Sequence, residues 1–342
     1  MIKTLAGAIA IGLGSSLALA DAADREVPIP TAVSSELEAA IRDWPVRQVA
    51  DMPPPPADAE GWRQLISATD TQRAAAMASV LEETGVTLEE DSMAGVRVYR
   101  LAPATVAAKH EGRVFLYLHG GAYVYGNGLA GVFEAILIAA RVQIPVTSVD
   151  YRMPPDHPFP AAVDDAVAVY EALSEALSAG SIALGGTSAG GGLALATVHR
   201  LLASGQTPPG AIYAGTPWAD LSKTGDTLFT NEVLDRVLVT YDAGLGAAAE
   251  LYAGEMDLKD PLLSPVYGDF SGFPPTILTT GTRDLFLSDV ARTHRKLRAA
   301  GIESDLHVYE GMSHAGYLVS PDIPESIDMY REIDRFIDLH LE

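Results

Sequence analysis

Ile-Ala-Leu-Gly-Gly-Thr-Ser-Ala-Gly-Gly-Gly-Leu, residues 182–193, is the stretch that decides the fold of this chain. A short apolar run leads into a pentapeptide of the form G-x-S-x-G, and a helical pattern follows it. So tight a strand-to-helix turn needs residues almost without side chains two positions before and after its centre, and Gly186 and Gly190 meet that need. The pattern predicts a nucleophile elbow that lifts the Ser188 hydroxyl above a sheet edge. A glycine-rich turn without chemistry is the alternative.

Strands alternate with helices from about residue 95 onward. Apolar or alternating runs predict seven strands, at 96–101, 114–118, 146–149, 182–184, 211–213, 277–280 and 306–309. Helical patterns separate most of them, at 132–141, 161–177, 193–203, 288–300 and 326–340. Such alternation is typical of a largely parallel sheet that helices cover on both faces, so the predicted fold class is α/β.

Two other segments are expected to form a helical cap. Residues 21–94 predict a linker followed by helices near 35–44, 60–67 and 72–83, whose apolar faces need a surface to pack on. Residues 216–265 interrupt the later strand–helix alternation and predict a second cap or lid segment. The catalytic domain is then expected to occupy residues 95–342.

The N-terminus carries the pattern of an export signal. Lys3 supplies a positive charge, an uncharged and mostly apolar run follows, and Ala18-Leu19-Ala20 has the small-x-small form of a cleavage site. Residues 1–20 therefore predict a cleaved signal peptide and a periplasmic or secreted protein. An uncleaved anchor and a helix of the fold are the alternatives.

A serine hydroxyl needs a base, and the base needs an acid that orients it. Asp284 and His314 each follow a predicted strand, at the sheet edge where ligand crevices form in open α/β sheets. Asp289 is the rival acid, and a helix N-cap is the alternative role for Asp284. A surface-loop histidine is the alternative for His314, but the other late histidines fall inside predicted helices or a strand: His294, His307 and His340.

The oxyanion of an acyl-transfer intermediate needs backbone donors, and a small-residue loop follows the strand at 114–118. His119-Gly120-Gly121-Ala122 predicts an oxyanion hole formed by the N–H groups of Gly120, Gly121 and Ala189. A plain glycine turn is the alternative. Nearby aromatic residues are predicted as pocket walls, with ordinary packing as the alternative: Tyr123, Tyr125 and Trp218.

Charge and composition argue against several classes of function. The net charge of −22 over 342 residues disfavours nucleic-acid binding, because such a surface repels phosphate backbones. The chain has no cysteine, which excludes disulfides, thiolate zinc sites and cysteine nucleophiles. No H-E-x-x-H spacing occurs, so a metal site is not expected. No stable membrane insertion is expected after signal cleavage, and the oligomeric state stays open, a homodimer included.

Three motifs together resemble the bacterial hormone-sensitive-lipase family of α/β-hydrolases, over roughly residues 95–342. They are HGGAYV at 119–124, DYRMPPDHPFPAA at 150–162 and GTSAGG at 186–191. The resemblance implies an α/β-hydrolase fold with a mostly parallel eight-stranded sheet, a helical cap, no cofactor, and ester hydrolysis. Ser188, Asp284 and His314 match the family's triad positions.

The chain departs from the family pattern at two positions. Ala122 stands where the family usually has a third glycine, and Thr187 stands where many members have aspartate. An alanine keeps its N–H, so the oxyanion hole is expected to survive, and Thr187 leaves the nucleophile untouched.

These observations predict a serine carboxylesterase for small-molecule esters, with short to medium acyl chains, acting through an acyl-enzyme on Ser188. The same triad would serve a lactone, a carbamate or an arylformamide, since all pass through a tetrahedral intermediate. A non-catalytic small-molecule-binding protein on the same fold is a further alternative, which the presence of His314 disfavours.

Overall fold

One eight-stranded sheet forms the centre of the structure, a computed structural model that describes residues 27–342. The predicted signal peptide lies outside these described residues. The strand order is β1-β2-β4-β3-β5-β6-β7-β8. β1 pairs antiparallel with β2, β2 pairs antiparallel with β4, and the remaining neighbours are parallel. The strands are β1 (Thr87–Met93), β2 (Val96–Ala102), β3 (Val114–Leu118), β4 (Val146–Val149), β5 (Ile182–Thr187), β6 (Ala211–Gly215), β7 (Thr276–Gly281) and β8 (Ser304–Tyr309).

The described helices account for the two outer layers and the cap. They are α1 (Ser35–Asp43), α2 (Ala59–Ala75), α3 (Met77–Thr84), α4 (Phe133–Val142), α5 (Ala161–Ala176), α6 (Ala189–Ala203), α7 (Thr227–Thr230), α8 (Gly246–Ala253), α9 (Leu287–Ala299), α10 (Gly316–Val319) and α11 (Pro324–His340). Single turns of 3-10 helix lie at Val49–Asp51, Ala108–His110, Gly128–Gly131, Ala179–Ser181 and Pro265–Tyr267, and a π turn at Tyr241–Leu245.

The all-apolar strand β3 shows why the sheet is covered on both faces. Leu116 and Leu118 enter a core shared with α5, α6 and α9, whereas Phe115 and Tyr117 enter a second core shared with α4 and α11. Side chains alternate across a strand, so a strand that is apolar at every position needs an apolar layer on each side. The predicted α/β class with a mostly parallel sheet is confirmed.

The sheet begins earlier than the sequence predicts. β1 pairs along its whole length with β2, so the sheet starts at Thr87, ahead of the domain boundary expected at residue 95. The sequence of β1, TLEEDSM, is mostly polar and its side chains are mostly exposed. An edge strand of this kind has no apolar alternation, so local patterns predict only seven strands, whereas the family resemblance implies the eight that the sheet has.

Helix α2 also differs from the prediction. It runs unbroken from Ala59 to Ala75, where two helices with a gap at 68–71 were expected. Residues four apart lie on one face of a helix, and the buried residues of α2 are Trp62, Ile66 and Asp70. The structure therefore places a carboxylate on the buried face of the cap.

The two cap segments meet over the loop that follows β3. Trp62 and Ile66 of α2 form one apolar cluster with Val124 of that loop and Ala248 of α8. Within residues 27–342, no helix combines the length and the apolar character that a bilayer crossing requires.

Candidate active site

Ser188 occupies the tight turn between β5 and α6. Its backbone has φ 62° and ψ −123°, a strained conformation for a residue with a side chain, and its N–H donates to Gly215 O at 2.8 Å. A Cβ atom at Gly186 or Gly190 would lie 1.9 or 2.0 Å from the Leu118 carbonyl oxygen. The end of β3 thus packs directly against the turn, and both glycines are sterically required.

A buried carboxyl group lies beneath this turn. Thr187 Oγ1 donates to Glu134 Oε1 at 2.6 Å, and the hydroxyls of Tyr117 and Tyr213 donate to the same carboxyl group at 3.0 and 3.2 Å. Burial raises the pKa of Glu134 to about 7, against the opposing effect of these hydrogen bonds. The threonine of the pentapeptide therefore joins the elbow to α4, a contact that the sequence did not indicate.

Asp284 and His314 come together at the carboxyl ends of β7 and β8. His314 Nδ1 lies 3.1 Å from Asp284 Oδ1, and both side chains are buried. Asp284 also accepts hydrogen bonds from the Thr216 hydroxyl, the Thr280 hydroxyl at 2.8 Å and the Phe286 N–H at 2.8 Å. A carboxylate held by four donors keeps the proton of His314 on Nδ1 and leaves Nε2 free to act as a base.

The rival acid lies elsewhere. Asp289 Oδ2 accepts the N–H of Asp220 at 3.0 Å, and burial followed by the negative charge of Asp220 raises the pKa of Asp289 well above its usual value. His294 Nδ1 lies 3.0 Å from the Ser304 hydroxyl, and His340 lies 3.6 Å from Glu303. Of the sequence-predicted candidates, the structure pairs Asp284 with His314.

The glycine loop after β3 runs beside the elbow. A Cβ atom at Gly120 would lie 2.8 Å from Thr187 O and 3.4 Å from Ser188 Cβ, so the two backbones are in contact. Among residues 27–342, the N–H groups of Gly120, Gly121 and Ala189 donate to no other protein group. Three unpaired donors next to a serine hydroxyl can stabilise a negative charge that develops on a substrate oxygen.

Two of the three aromatic residues predicted as pocket walls belong to the core instead. Tyr123 is 1% exposed and Trp218 is 0% exposed, so neither offers surface to a substrate. Tyr123 stacks on Tyr252 with ring centroids 4.0 Å apart, and Trp218 stacks on Phe286 at 5.5 Å. The prediction of pocket walls is wrong for these two residues because their rings fill the space behind the site. Tyr125 stays partly exposed.

The second cap segment contributes a carboxylate that the sequence analysis missed. Asp235 Oδ2 accepts the N–H of Leu285 at 2.9 Å and lies 3.4 Å from the N–H of His314. Burial, and after it the negative charge of Asp284, raise the pKa of Asp235. One side chain therefore holds both the acid loop and the base loop. The sequence around it, LDRV at residues 234–237, carries no motif that could have indicated this role.

Comparison with known proteins gives a consistent result. A family model described as alpha/beta hydrolase fold matches residues 115–318, which is more than half of the chain. An acetyl-hydrolase of Streptomyces hygroscopicus is 35% identical over 219 residues, which cover 64% of this chain and 73% of that protein.

Solved structures agree with the sequence comparisons. The crystal structure of an esterase named E25 superposes with a TM-score of 0.90 at 44% identity, covering 93% of this chain and 98% of that one. An esterase described as belonging to the bacterial hormone-sensitive lipase family superposes with a TM-score of 0.72 at 29% identity, covering 91% of this chain and 100% of that one.

Proposed function

The chain belongs to the bacterial hormone-sensitive-lipase family of α/β-hydrolases and is a carboxylic ester hydrolase, and from this premise we propose that Ser188, Asp284 and His314 are its catalytic triad. The observation that carries the proposal is the buried contact of 3.1 Å between His314 Nδ1 and Asp284 Oδ1. It lies at the same sheet edge as the strained Ser188 turn.

The reaction follows from this arrangement. Ser188 Oγ attacks the ester carbonyl carbon while His314 Nε2 takes the hydroxyl proton, and Asp284 stabilises the imidazolium that forms. The N–H groups of Gly120, Gly121 and Ala189 hold the oxyanion of the tetrahedral intermediate. The C–O bond to the alcohol then breaks, and His314 gives its proton to the leaving oxygen. A water molecule repeats the attack on the acyl-enzyme, which releases the acid and restores Ser188.

We also propose that the acyl chains accepted are short to medium in length. The aromatic side chains of Tyr123, Trp218, Tyr252 and Phe286 fill the space behind the site and are buried. The apolar cluster of Trp62, Ile66, Val124 and Ala248 lies where the two cap segments meet. Closely packed side chains on these sides favour a shallow acyl site.

The test is hydrolysis of p-nitrophenyl esters from acetate to palmitate by the wild type and Ser188→Ala. We expect the wild type to cleave short esters fastest and the variant to lose roughly 10⁴- to 10⁶-fold in kcat, as removal of a serine nucleophile does elsewhere. Ser174→Ala is the matched control, because Ser174 lies exposed on α5 and its hydroxyl donates to the Glu171 carbonyl, away from the site.

The possible results distinguish between different nucleophiles and different substrate classes for this site. Labelling of Ser188 by a fluorophosphonate, located by mass spectrometry, would identify the nucleophile directly. Full activity in Ser188→Ala would show that another group attacks the ester. A wild type that is inactive on esters but cleaves lactones, carbamates or arylformamides would keep the triad and change the substrate class.

We further propose that the protein is exported after cleavage behind Ala20. The support is the sequence pattern of residues 1–20, in which Lys3 precedes an uncharged apolar run and a small-x-small site. Intact mass measurement of the protein from the extracytoplasmic fraction should give a chain that begins at Asp21. A chain that retains Met1 in the cytoplasmic fraction would refute export.

A further inference from the structure

A buried carboxylate from the cap is bonded to the loop that carries the oxyanion donors. Asp70 of α2 is only 7% exposed. One of its oxygens accepts the Gly126 N–H at 2.9 Å, and the other accepts the backbone and side-chain N–H groups of Asn127, each at 3.0 Å. Buried carboxylates need such donors, and these bonds are charge-assisted and strong.

The loop that Asp70 holds is strained. Gly121, Ala122 and Tyr123 have φ values of 112°, 55° and 62°, so three consecutive residues lie in the left-handed region. Two of the three carry side chains, which disfavour this conformation. Within the loop, the N–H groups of Val124 and Tyr125 both donate to Gly121 O, at 3.0 and 2.9 Å. A strained conformation persists only where the surrounding structure enforces it.

Gly126, which bonds to Asp70, also packs against His119, the residue before the proposed oxyanion donors. Gly126 packs on the imidazole of His119 so closely that a Cβ atom there would lie 2.5 Å from His119 Nδ1. The ring of Tyr151 stacks on the His119 ring with centroids 4.1 Å apart, and the Tyr151 hydroxyl donates to His119 O at 2.6 Å. A displacement of Gly126 would therefore move His119, which directly precedes Gly120.

A second contact connects the same helix to the loop. The guanidinium of Arg73 lies over the ring of Tyr125, 5.4 Å from its centroid. Asp70 and Arg73 are three residues apart and so lie on neighbouring positions of one helix face. α2 thus contacts the loop at two successive residues, Tyr125 and Gly126.

We propose that Asp70 is a positioning residue for the oxyanion hole, and that the N-terminal segment sets the rate of ester hydrolysis as well as covering the site. The inference rests on the proposed function, because it needs Gly120 and Gly121 to be the oxyanion donors. Asp70 touches no substrate. It acts by holding Gly126 and Asn127, and through them the His119–Gly121 turn.

The experiment compares Asp70→Asn with the wild type on p-nitrophenyl acetate. Asparagine keeps the shape but loses the charge and turns one acceptor into an N–H₂ group that faces a backbone N–H. We expect kcat to fall roughly 10- to 100-fold with KM within about threefold, since removal of one oxyanion donor costs about 10²–10³ and the donors here are shifted, not removed. Affinity for a trifluoromethyl ketone, whose adduct with Ser188 carries an oxyanion, should fall in parallel.

Arg63→Ala is the matched control on the same helix. Arg63 makes an exposed ion pair with Asp156 at 2.8 Å, which ties α2 to the main domain without touching the loop. We expect its kcat to stay within about twofold of the wild type, because an exposed pair contributes little to stability. A similar fall in kcat in Arg63→Ala and Asp70→Asn would show that general loosening of the cap is responsible, and would overturn the proposal.

Asn127→Ala tests the same proposal if Asp70→Asn does not fold. It removes one of the three hydrogen bonds of Asp70 and leaves both backbone donors, so kcat should fall a few-fold with KM unchanged. If either folded variant only melts at a lower temperature and keeps the wild-type kcat below that temperature, Asp70 is an anchor and not a positioning residue. An inactive wild type would instead refute the proposed function, so the two failures are distinguishable.

Discussion

Two neighbouring loops of the site are held in place by different means. The elbow at Ser188 is fixed by packing inside the sheet layer, because β5 enters it, α6 leaves it, and Gly186 and Gly190 lie against the carbonyl of Leu118 at the end of β3. The oxyanion loop after β3 is instead held by Asp70, 56 residues earlier in the chain. The proposed nucleophile is therefore held by the sheet and its helix, whereas the loop with the proposed oxyanion donors is bonded to the cap.

The loops that carry Asp284 and His314 are also held by an aspartate from a cap segment. Asp235, which lies 50 residues before Leu285, bonds the loops of both Asp284 and His314. Each cap segment thus places one buried aspartate on the backbone N–H groups of loops at the site. Segments that are distant from Ser188, Asp284 and His314 in the sequence are therefore bonded directly to the loops around these residues.

The largest expected effect comes from breaking the elbow with Gly186→Ala. The new Cβ atom would lie 1.9 Å from the Leu118 oxygen, and neither backbone can move without disturbing β3 or β5. We expect destabilisation of about 3 kcal/mol or more, at or beyond the upper end for overpacking, together with loss of esterase activity. Urea unfolding and p-nitrophenyl acetate hydrolysis measure both effects.

Gly244→Ala is the control for this prediction. Gly244 is exposed, and a Cβ atom there would meet nothing within 4 Å. We expect its stability to stay within about 0.5 kcal/mol of the wild type. A Gly186→Ala protein with normal stability and activity would mean that packing against Leu118 does not fix the elbow.

The next largest effect is the difference in kcat between Asp284→Asn and Asp289→Asn, which alter the two buried acids near the site. The first variant should lose roughly 10⁴-fold in kcat, because asparagine favours the wrong tautomer of His314, the proposed base. The second should stay within a few-fold, because the Asp289 carboxyl group bonds the Asp220 N–H, whereas His314 Nδ1 meets Asp284. Steady-state kinetics on a short ester would show the difference, and the reverse order would assign the acid to Asp289.

The smallest effect concerns the carboxyl group beneath the elbow and is a change in stability with pH. The pKa of Glu134 rises from its ordinary value of 4.5 to about 7 on folding, so the folded state holds this proton to higher pH than the unfolded state. Stability that is present below pH 4.5 is therefore lost as the pH rises through 7. Between pH 5 and pH 8 the free energy of unfolding of the wild type should fall by about 2 to 3 kcal/mol more than that of Glu134→Gln.

Urea unfolding at several pH values measures this difference. Glu82→Gln, which removes the same charge from the exposed surface of α3, is the control and should give a curve parallel to the wild type. Parallel curves for Glu134→Gln as well would show that the carboxyl group under Thr187 does not change its protonation on folding. The support beneath the elbow would then be purely steric.

Much of the fold and of the site could be predicted from local patterns. The parallel strands β3 to β8 are apolar or alternating runs, and the residues of the proposed triad each follow one of them, since the carboxyl ends of parallel strands share an edge. β1 was missed because its polar sequence faces solvent. Tyr123 and Trp218 were misplaced because an aromatic side chain near a site in sequence can equally pack behind it.

The carboxylates from the cap could not be assigned a role from the sequence. Asp70 does follow Trp62 and Ile66 at four-residue spacing, which is a signal of burial, but the expected helix break at 68–71 concealed it. Asp235 has no such signal. Their partners are backbone N–H groups of distant loops, and a backbone amide looks the same at every position of a sequence.

The sequence by itself determined the strand–helix alternation and the glycine-flanked turn at Ser188, because each is a pattern of residues that are neighbours in the chain. It also showed that an aspartate and a histidine follow later predicted strands, in the order serine, acid, histidine. Only the tertiary structure decided that Asp284 rather than Asp289 meets His314, that Tyr123 and Trp218 belong to the core, and that Asp70 holds the oxyanion loop. These outcomes depend on distances across the sheet and between the cap and the loops. Such distances arise when buried apolar surfaces pack, and no local pattern encodes them.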